Sequence, residues 1–215
     1  MIVHIGFKNL EIGYNRRVVA GPFNGSIESG NLIAILGANA SGKTTFLRTM
    51  LKLQSPVRGR VELDSRERVA YVQQLGDFDT TFPITVREVV AMGIAKRTSR
   101  HVRRERIRAA LQRVDMEATA NDLFFHLSGG QRQRVQVARA LVADASVIAL
   151  DEPTSGVDPD AARRLWELLA DIAQNQDKLV IVVTHDAKAV AQFSPRTLVI
   201  RGGRLEDSVH AAPIH

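Results

Sequence analysis

The 215-residue sequence contains no cysteine, which excludes disulfide bonds and thiolate metal sites. It also lacks any apolar run close to the roughly 20 residues that a membrane-spanning helix requires. The N-terminal segment has no apolar core of the kind found in secretory signal peptides. We therefore expect a chain that is soluble by itself. If it acts at a membrane, another chain must supply the spanning part.

The length and composition of the sequence are those of an ordinary globular chain of about one domain. Hydrophobic residues make up 45% of the sequence and charged residues 24%, enough for a substantial core. The 29 basic and 23 acidic side chains give a net charge of +6. Nucleotide, a membrane surface or nucleic acid could each account for this modest excess.

Short apolar segments alternate with longer amphipathic ones. Three of the apolar segments are mostly β-branched and predict buried strands of a mainly parallel sheet: residues 33–36, 147–150 and 179–183. Residues 44–51 predict a helix after a glycine-rich turn, and Asp158 with Pro159 predict the start of another. That second helix has an apolar stripe at Leu165, Leu168, Leu169 and Ile172. The alternation predicts an α/β fold.

Two parts of the chain depart from this alternation. Residues 1–30 and about 58–72 read as short strands with turns, which predicts a small β sub-domain. Residues from about 80 to 127 predict a helical sub-domain, with Ile107, Leu111 and Val114 on its apolar face. We expect one domain over residues 1–215, with a flexible tail from about 206 to 215.

The strongest chemical signal is GANASGKT, residues 37–44. It matches the glycine-rich phosphate-binding loop G-x-x-x-x-G-K-[ST] and has the required strand before it and helix after it. Such a turn lets backbone N–H groups converge on phosphate oxygens at a helix N-terminus. The sequence therefore predicts that Lys43 reaches the β- and γ-phosphates of a nucleotide and that the Thr44 hydroxyl binds Mg²⁺.

A second signal is VIALDEP, residues 147–153, in which an apolar strand ends in two carboxylates. Ligands bind at the carboxyl ends of strands in open α/β sheets. Many strands end in Asp or Glu at the surface, so this signal is weak alone and gains its meaning from the phosphate loop. With that loop, we expect Asp151 to hold Mg²⁺ and Glu152 to act as general base toward the attacking water.

A third signal is LSGGQRQRV, residues 127–135. Ser128 and Gln131 have the spacing of a capping box, which explains a helix start without any ligand. Gly129 and Gly130 are harder to explain, because two glycines in a first turn cost helix stability. A second anion-binding helix N-terminus would account for them.

Together these segments resemble the nucleotide-binding subunit of an ATP-binding cassette transporter over nearly the whole chain. GANASGKTT resembles the phosphate loop, LSGGQ the family signature, and VIALDEPTSGVD the magnesium strand with its following loop. Tyr14, Gln74 and His185 come in the family's order. The resemblance implies that Tyr14 stacks on adenine, that Gln74 couples the site to the membrane partner and takes part at the metal, and that His185 contacts the γ-phosphate.

The resemblance also implies an ATP and Mg²⁺ site with a full set of contacts. The phosphate-loop contacts are Gly37, Asn39, Ala40, Ser41, Gly42, Lys43, Thr44 and Thr45. Lys43, Gln74, Glu152 and His185 are the implied catalytic residues. Ser128, Gly129, Gly130 and Gln131 would close on the nucleotide of a second cassette in a head-to-tail dimer, with Asp158 across the seam. An integral membrane permease, and through it an extracytoplasmic solute-binding protein, are the further implied partners, at the inner face of the cell membrane.

The sequence departs from the family pattern in its phosphate loop and beside Gln74. Ala40 stands where the family usually has Gly, and it would be strained if that position needs a positive φ. Ala38 and Gln73 each replace a frequent proline. None of these changes removes a catalytic group.

The distance between the motifs distinguishes among the kinds of ATP-binding cassette protein. Between Gln74 and Ser128 there is room for a transporter's helical sub-domain but not for the long coiled coil of chromosome-maintenance ATPases. Residues 82–93, FPITVREVVAMG, resemble the same region of manganese, zinc and iron-chelate importer subunits. The alternative is a soluble ATPase switch acting on nucleic acid or a protein complex, supported by six arginines between residues 97 and 108. The absence of interleaved aromatic residues argues against single-strand stacking, so we expect no nucleic-acid partner.

Overall fold

A computed structural model describes residues 2–73, 83–193 and 195–208. Its nine strands in those residues form two sheets. The strands are β1 (His4–Tyr14), β2 (Arg17–Glu28), β3 (Leu32–Gly37), β4 (Arg58–Leu63), β5 (Val69–Val72), β6 (Val147–Asp151), β7 (Leu179–Val183), β8 (Arg196–Arg201) and β9 (Arg204–Ser208). The helices are α1 (Lys43–Met50), α2 (Val86–Ala91), α3 (Arg100–Arg113), α4 (Gly129–Leu141), α5 (Pro159–Asn175) and α6 (Ala187–Phe193), with 3-10 turns at Glu117–Thr119 and Phe124–His126.

The larger sheet has the order β5-β6-β7-β3-β8-β9 and is parallel except for β9 at its edge. Its strands β3, β6 and β7 are those expected from the sequence, and both their faces are covered. One face packs on α5 and the helical layer of α2, α3 and α4. The other packs on α1 and the smaller antiparallel sheet, β2-β1-β4. The α/β fold with its small antiparallel sub-domain is thus confirmed.

One sequence-based assignment is wrong. Residues 58–72 do not all belong to the small β sub-domain, because β4 pairs with β1 in the small sheet whereas β5 pairs in parallel with β6 in the large one. The error concerns strand partners, which depend on contacts far along the chain. At the C-terminal end, β9 extends to Ser208 and pairs antiparallel with β8. Residues 209–215 lie outside the described part, so the flexible tail stays a prediction.

The helix starts follow local sequence rules. Asp158 caps α5, its Oδ1 accepting a hydrogen bond from the Ala161 amide at 2.9 Å, and Pro159 occupies the first turn. Leu165, Leu169 and Ile172 of the predicted stripe are buried against the sheet. In α3, Leu111 is fully buried and Val114, just after the helix, is buried beside it. These amphipathic faces hold the helices on the sheet and so fix the loops at its carboxyl edge.

Candidate nucleotide site

The phosphate loop joins the end of β3 to the start of α1. Gly42 is the N-cap residue and has φ of 95°, a conformation that glycine adopts without steric cost. A Cβ at Gly42 would also lie 3.2 Å from Ile12 and 3.3 Å from Val19. No side chain caps α1 and its first turn holds no acidic residue. The N-terminus of α1 is therefore suited to an anionic ligand.

Ala40 has φ of 62°, so the strain that the sequence suggested is present in the loop. We expect Ala40→Gly to raise the free energy of unfolding by roughly 0.5–1 kcal/mol, because relief of the left-handed strain exceeds the added freedom of the unfolded chain. Urea denaturation measures this change. Ala38→Gly in the same loop is the matched control: Ala38 has no positive φ and should lose stability. Lower stability of Ala40→Gly would contradict the strain argument.

Lys43 and Tyr14 contact different parts of the segment that runs from the loop into α1. The Lys43 side chain is largely buried, and its Nζ donates to the carbonyl oxygens of Gly37 at 2.9 Å and Ala38 at 3.0 Å. Tyr14 is 51% exposed, and its hydroxyl lies 2.8 Å from the Thr45 Oγ1. The tyrosine ring is therefore anchored beside the loop while its surface stays open to a stacking partner.

The two carboxylates lie at the carboxyl end of β6, between β5 and β7: Asp151 is the last residue of the strand and Glu152 follows it. Asp151 is 2% exposed, and burial raises its pKa above the ordinary value, while hydrogen bonds from Thr44 and Tyr71 oppose that rise. Its Oδ1 is buried and has no hydrogen-bond partner among the described residues. A buried carboxylate oxygen next to the Thr44 hydroxyl is a suitable ligand pair for a hard cation such as Mg²⁺.

Glu152 is held in a strained conformation next to a histidine. Its φ is 50°, uncommon for a residue with a side chain, and its amide donates to the Val183 carbonyl at 2.9 Å. The carboxylate Oε2 lies 2.9 Å from Nδ1 of His185, whose side chain is exposed. Backbone strain of this kind persists where the surrounding structure enforces it, and here it aims the carboxylate toward the phosphate loop.

These residues meet in one cleft of about 570 Å³. Its lining residues are Tyr14, Val19, Asn39, Ala40, Gly42, Lys43, Thr44, Thr45, Glu152 and His185. The fold thus brings together, from four separate segments, nine of the eighteen residues predicted for the site. The cleft lining does not include Gly37 and Ser41, which belong to the loop, or Asp151, which ends β6. Gln74 lies outside the described residues.

The residues at the start of α4 that were predicted for the site do not line the cleft: Ser128, Gly129, Gly130 and Gln131. The capping box is confirmed, since the Ser128 amide donates to Gln131 Oε1 at 2.9 Å and the Gln131 amide donates to Ser128 Oγ at 3.3 Å. A Cβ at Gly129 would meet nothing within 4 Å. Packing within the chain therefore does not require Gly129. Asp158 is exposed and likewise does not line the cleft.

Sequence reasoning missed Tyr71 and Arg48. The Tyr71 hydroxyl donates to Oδ2 of Asp151 at 3.3 Å and accepts from Nε of Arg48 at 3.2 Å. The Arg48 guanidinium also lies 5.7 Å from the centre of the Tyr71 ring. Burial raises the pKa of Tyr71, which keeps its hydroxyl protonated as a donor. The sequence shows a tyrosine in a predicted strand. Only the parallel pairing of β5 with β6 shows that this tyrosine lies beside Asp151.

We expect Tyr71→Phe to raise the Mg²⁺ concentration that half-saturates a cation site at Asp151 about tenfold, the usual effect of losing a hydrogen bond behind a carboxylate that binds a metal. The hydroxyl fixes Oδ2 of Asp151 and so leaves Oδ1 available. Titration of Mg²⁺ at saturating ATP measures the shift. Tyr14→Phe is the matched control. It removes an exposed hydroxyl from the same cleft without changing Thr44 or Asp151, and it should leave the Mg²⁺ dependence unchanged. An unchanged Mg²⁺ dependence in Tyr71→Phe would contradict this role.

The loop, the carboxylate pair and the parallel sheet define a nucleoside-triphosphate hydrolase of the phosphate-loop class. A model of the ABC transporter family matches residues 21–155. The chain belongs to this family and is an ATP-binding ABC transporter ATPase. Over the part of the chain that the structure describes, no helix is long and apolar enough to cross a membrane.

Several curated proteins are similar along most of their length. The zinc uptake system ATP-binding protein ZurA of Listeria innocua is 34% identical over 203 residues, covering 88% of this chain and 79% of that protein. The manganese transport system ATP-binding protein MntB of the same organism is 35% identical, covering 88% and 83%. The high-affinity zinc uptake system ATP-binding protein ZnuC of Bacillus subtilis is 31% identical, covering 93% and 91%.

Solved structures share the fold. The ABC transporter cassette MJ0796, solved as a dimer, superposes with a TM-score of 0.79 at 28% identity, covering 94% of this chain and 96% of that one. The protein cbiO1 from Clostridium perfringens, part of the ABC transporter complex cbiONQ, has a TM-score of 0.80 at 28% identity, covering 94% and 86%. Cassettes of this family therefore occur both as dimers and within transporter complexes.

Proposed function

We propose that this chain is the ATP-hydrolysing subunit of a transporter that imports a metal ion such as zinc or manganese. The observation that carries the ATPase part is the cleft in which Lys43, Thr44, Glu152 and His185 meet. The metal part rests on the zinc and manganese uptake subunits to which the chain is 31–35% identical over most of its length.

The chemistry follows from the positions of the side chains. Lys43 would bind the β- and γ-phosphates of ATP, with Tyr14 stacked on adenine. Thr44 and Asp151 would hold Mg²⁺, which neutralises charge on the phosphates. Glu152 would take the proton of the attacking water, and His185 would hold the Glu152 carboxylate and contact the γ-phosphate. Gln74, outside the described residues, would link the metal to the membrane partner.

The exposed N-terminus of α4 supports a head-to-tail dimer of two copies. Ser128 and Gly129 are exposed and lie outside the cleft of their own chain. In a dimer they would close, with Gly130 and Gln131, on the γ-phosphate bound by the second copy, and Asp158 would lie across the seam. A helix N-terminus and an open glycine are suited to that phosphate.

The dimer of ATPase subunits would act at the inner face of the cell membrane. An integral membrane permease would supply the pathway, and an extracytoplasmic solute-binding protein would deliver the metal through it. ATP would favour the closed dimer and hydrolysis the open one, so that the population shift drives the permease.

Size-exclusion chromatography of Glu152→Gln tests the dimer. We expect a dimer with ATP and a monomer with ADP or without nucleotide, because loss of the base stalls hydrolysis but leaves the phosphate contacts. Ser128→Arg in the same background should abolish the dimer. Arg60→Ala, which removes an exposed side chain from β4 of the small sheet, should not. A monomer in all three conditions, with ATP saturating in the first, would count against ATP-driven closure of this chain alone.

Metal content of cells tests the transported substrate. In the organism that carries this chain, Glu152→Gln should lower cellular zinc or manganese and slow growth in chelator-treated medium. Elemental analysis by mass spectrometry measures both metals, with Arg60→Ala as the control. Unchanged zinc and manganese in cells that show no chelator sensitivity would refute metal import.

A further inference from the structure

The whole net charge of the protein is concentrated in one short segment. Residues 96–108 contain seven Lys or Arg and one Glu, so this segment carries a net charge equal to the +6 of the entire chain. The remainder of the sequence is electrically balanced. Most of the segment lies in α3, which buries only its inner side, with Leu111 and Ala110 in the core. The outer sides of the helix are therefore strongly basic.

Four exposed cations at the N-terminal end of α3 form what we call the basic surface: Lys96, Arg97, Arg100 and Arg104. Two other arginines of α3 are neutralised within the chain, Arg108 by Glu117 at 2.8 Å and Arg113 by Asp171 at 3.0 Å. By contrast, no ion pair joins a side chain of the basic surface to any described residue. Arg100 and Arg104 are also four positions apart on the helix, where like charges repel. The fold thus tolerates a local repulsion that an external anion would relieve.

The composition of this surface fits phospholipid headgroups. Arginine binds phosphate through two parallel N–H groups. Val102 in α3 is 42% exposed and Met92, at the end of the neighbouring α2, is 64% exposed, so exposed apolar side chains also occur on these two helices. No Phe, Tyr or Trp occurs between residues 83 and 113 to stack on bases. Basic and apolar groups together are typical of a surface that lies on a membrane.

We propose that the basic surface binds directly to anionic phospholipids of the membrane that holds the permease. This inference rests on the proposed function, since the permease places the chain next to a bilayer. Each arginine near such a bilayer contributes attraction that weakens as salt rises. The contact would hold the helical layer against the membrane independently of nucleotide.

Vesicle flotation of the purified protein tests this contact. The probes are vesicles of phosphatidylcholine and vesicles of an equal mixture with phosphatidylglycerol. Wild type should bind the anionic vesicles only, and less as salt is raised. The variant Arg97→Gln/Arg100→Gln/Arg104→Gln should bind roughly 100-fold more weakly, at about fivefold for each arginine. Arg58→Gln/Arg60→Gln/Arg66→Gln is the matched control, because it removes the same charge from the small-sheet side and should bind within a few-fold of wild type.

Three outcomes would overturn the proposal: no binding of wild type to anionic vesicles, equal loss in both triple variants, or equally tight, arginine-dependent binding to duplex DNA or RNA. Thermal melting of each variant shows that folding is intact. The ATP-dependent dimer is measured on the same variants in the Glu152→Gln background. Vesicle binding without that dimer would count against ATP-driven closure of this chain alone and leave the lipid contact standing, whereas a dimer without vesicle binding would do the reverse.

Discussion

Replacing Glu152 with Gln should lower the rate of ATP hydrolysis by about 10²–10⁴-fold, the usual contribution of a general base, while ATP binding stays close to wild type. Gln keeps the size of the side chain but cannot accept the proton of the attacking water. The strained backbone at Glu152 and the contact with His185 hold this carboxylate at the edge of the cleft. Among the described lining residues, no other side chain is a carboxylate. Phosphate release and nucleotide titration measure the two quantities.

Asp160→Asn is a matched control for the Glu152 substitution. Asp160 is an exposed carboxylate in the first turn of α5, away from the cleft lining, and its neutralisation should leave hydrolysis within about twofold of wild type. Hydrolysis by Glu152→Gln at more than a tenth of the wild-type rate would contradict the assignment of Glu152 as the base. Loss of ATP binding in Glu152→Gln would instead indicate a disturbed cleft.

Lys43→Ala should weaken ATP binding by about 100-fold, as expected when charged hydrogen bonds to phosphate are lost. The Lys43 Nζ binds only backbone carbonyl oxygens of its own loop, so its removal breaks no ion pair in the described residues. We therefore expect the fold to remain intact and the loss to appear in nucleotide affinity. Isothermal titration with ATP and Mg²⁺ measures the change.

Two variants accompany this measurement. Lys8→Ala removes an exposed lysine from β1 and should bind ATP like wild type, which separates the local contact from the change in net charge. Lys43→Arg keeps the charge but not the compact ammonium, and it should bind ATP poorly because the planar guanidinium does not fit among the loop carbonyls. Wild-type affinity in Lys43→Ala would show that the backbone of the loop alone holds the phosphates.

The parts of the site that sequence predicted correctly are those governed by neighbours in the chain. The loop at 37–44 needs only a glycine at a positive φ and a helix directly after it, and Gly42 and α1 meet both needs. The capping box of Ser128 and Gln131 is equally local, since its two hydrogen bonds join residues three positions apart. Such features follow from spacing and residue type.

The sequence by itself determined the phosphate loop, the carboxylates after a buried strand, the capped helices and membership of a P-loop family, because each is written within a few consecutive residues. Only the tertiary structure decided that β5 joins the large sheet beside β6, and hence that Tyr71, itself bound by Arg48, donates to Asp151. It alone placed Glu152 against His185, 33 positions away, and left the basic surface without ion-pair partners among the described residues. The reason is that strand partners and side-chain meetings are set by packing between distant segments, which no local pattern encodes.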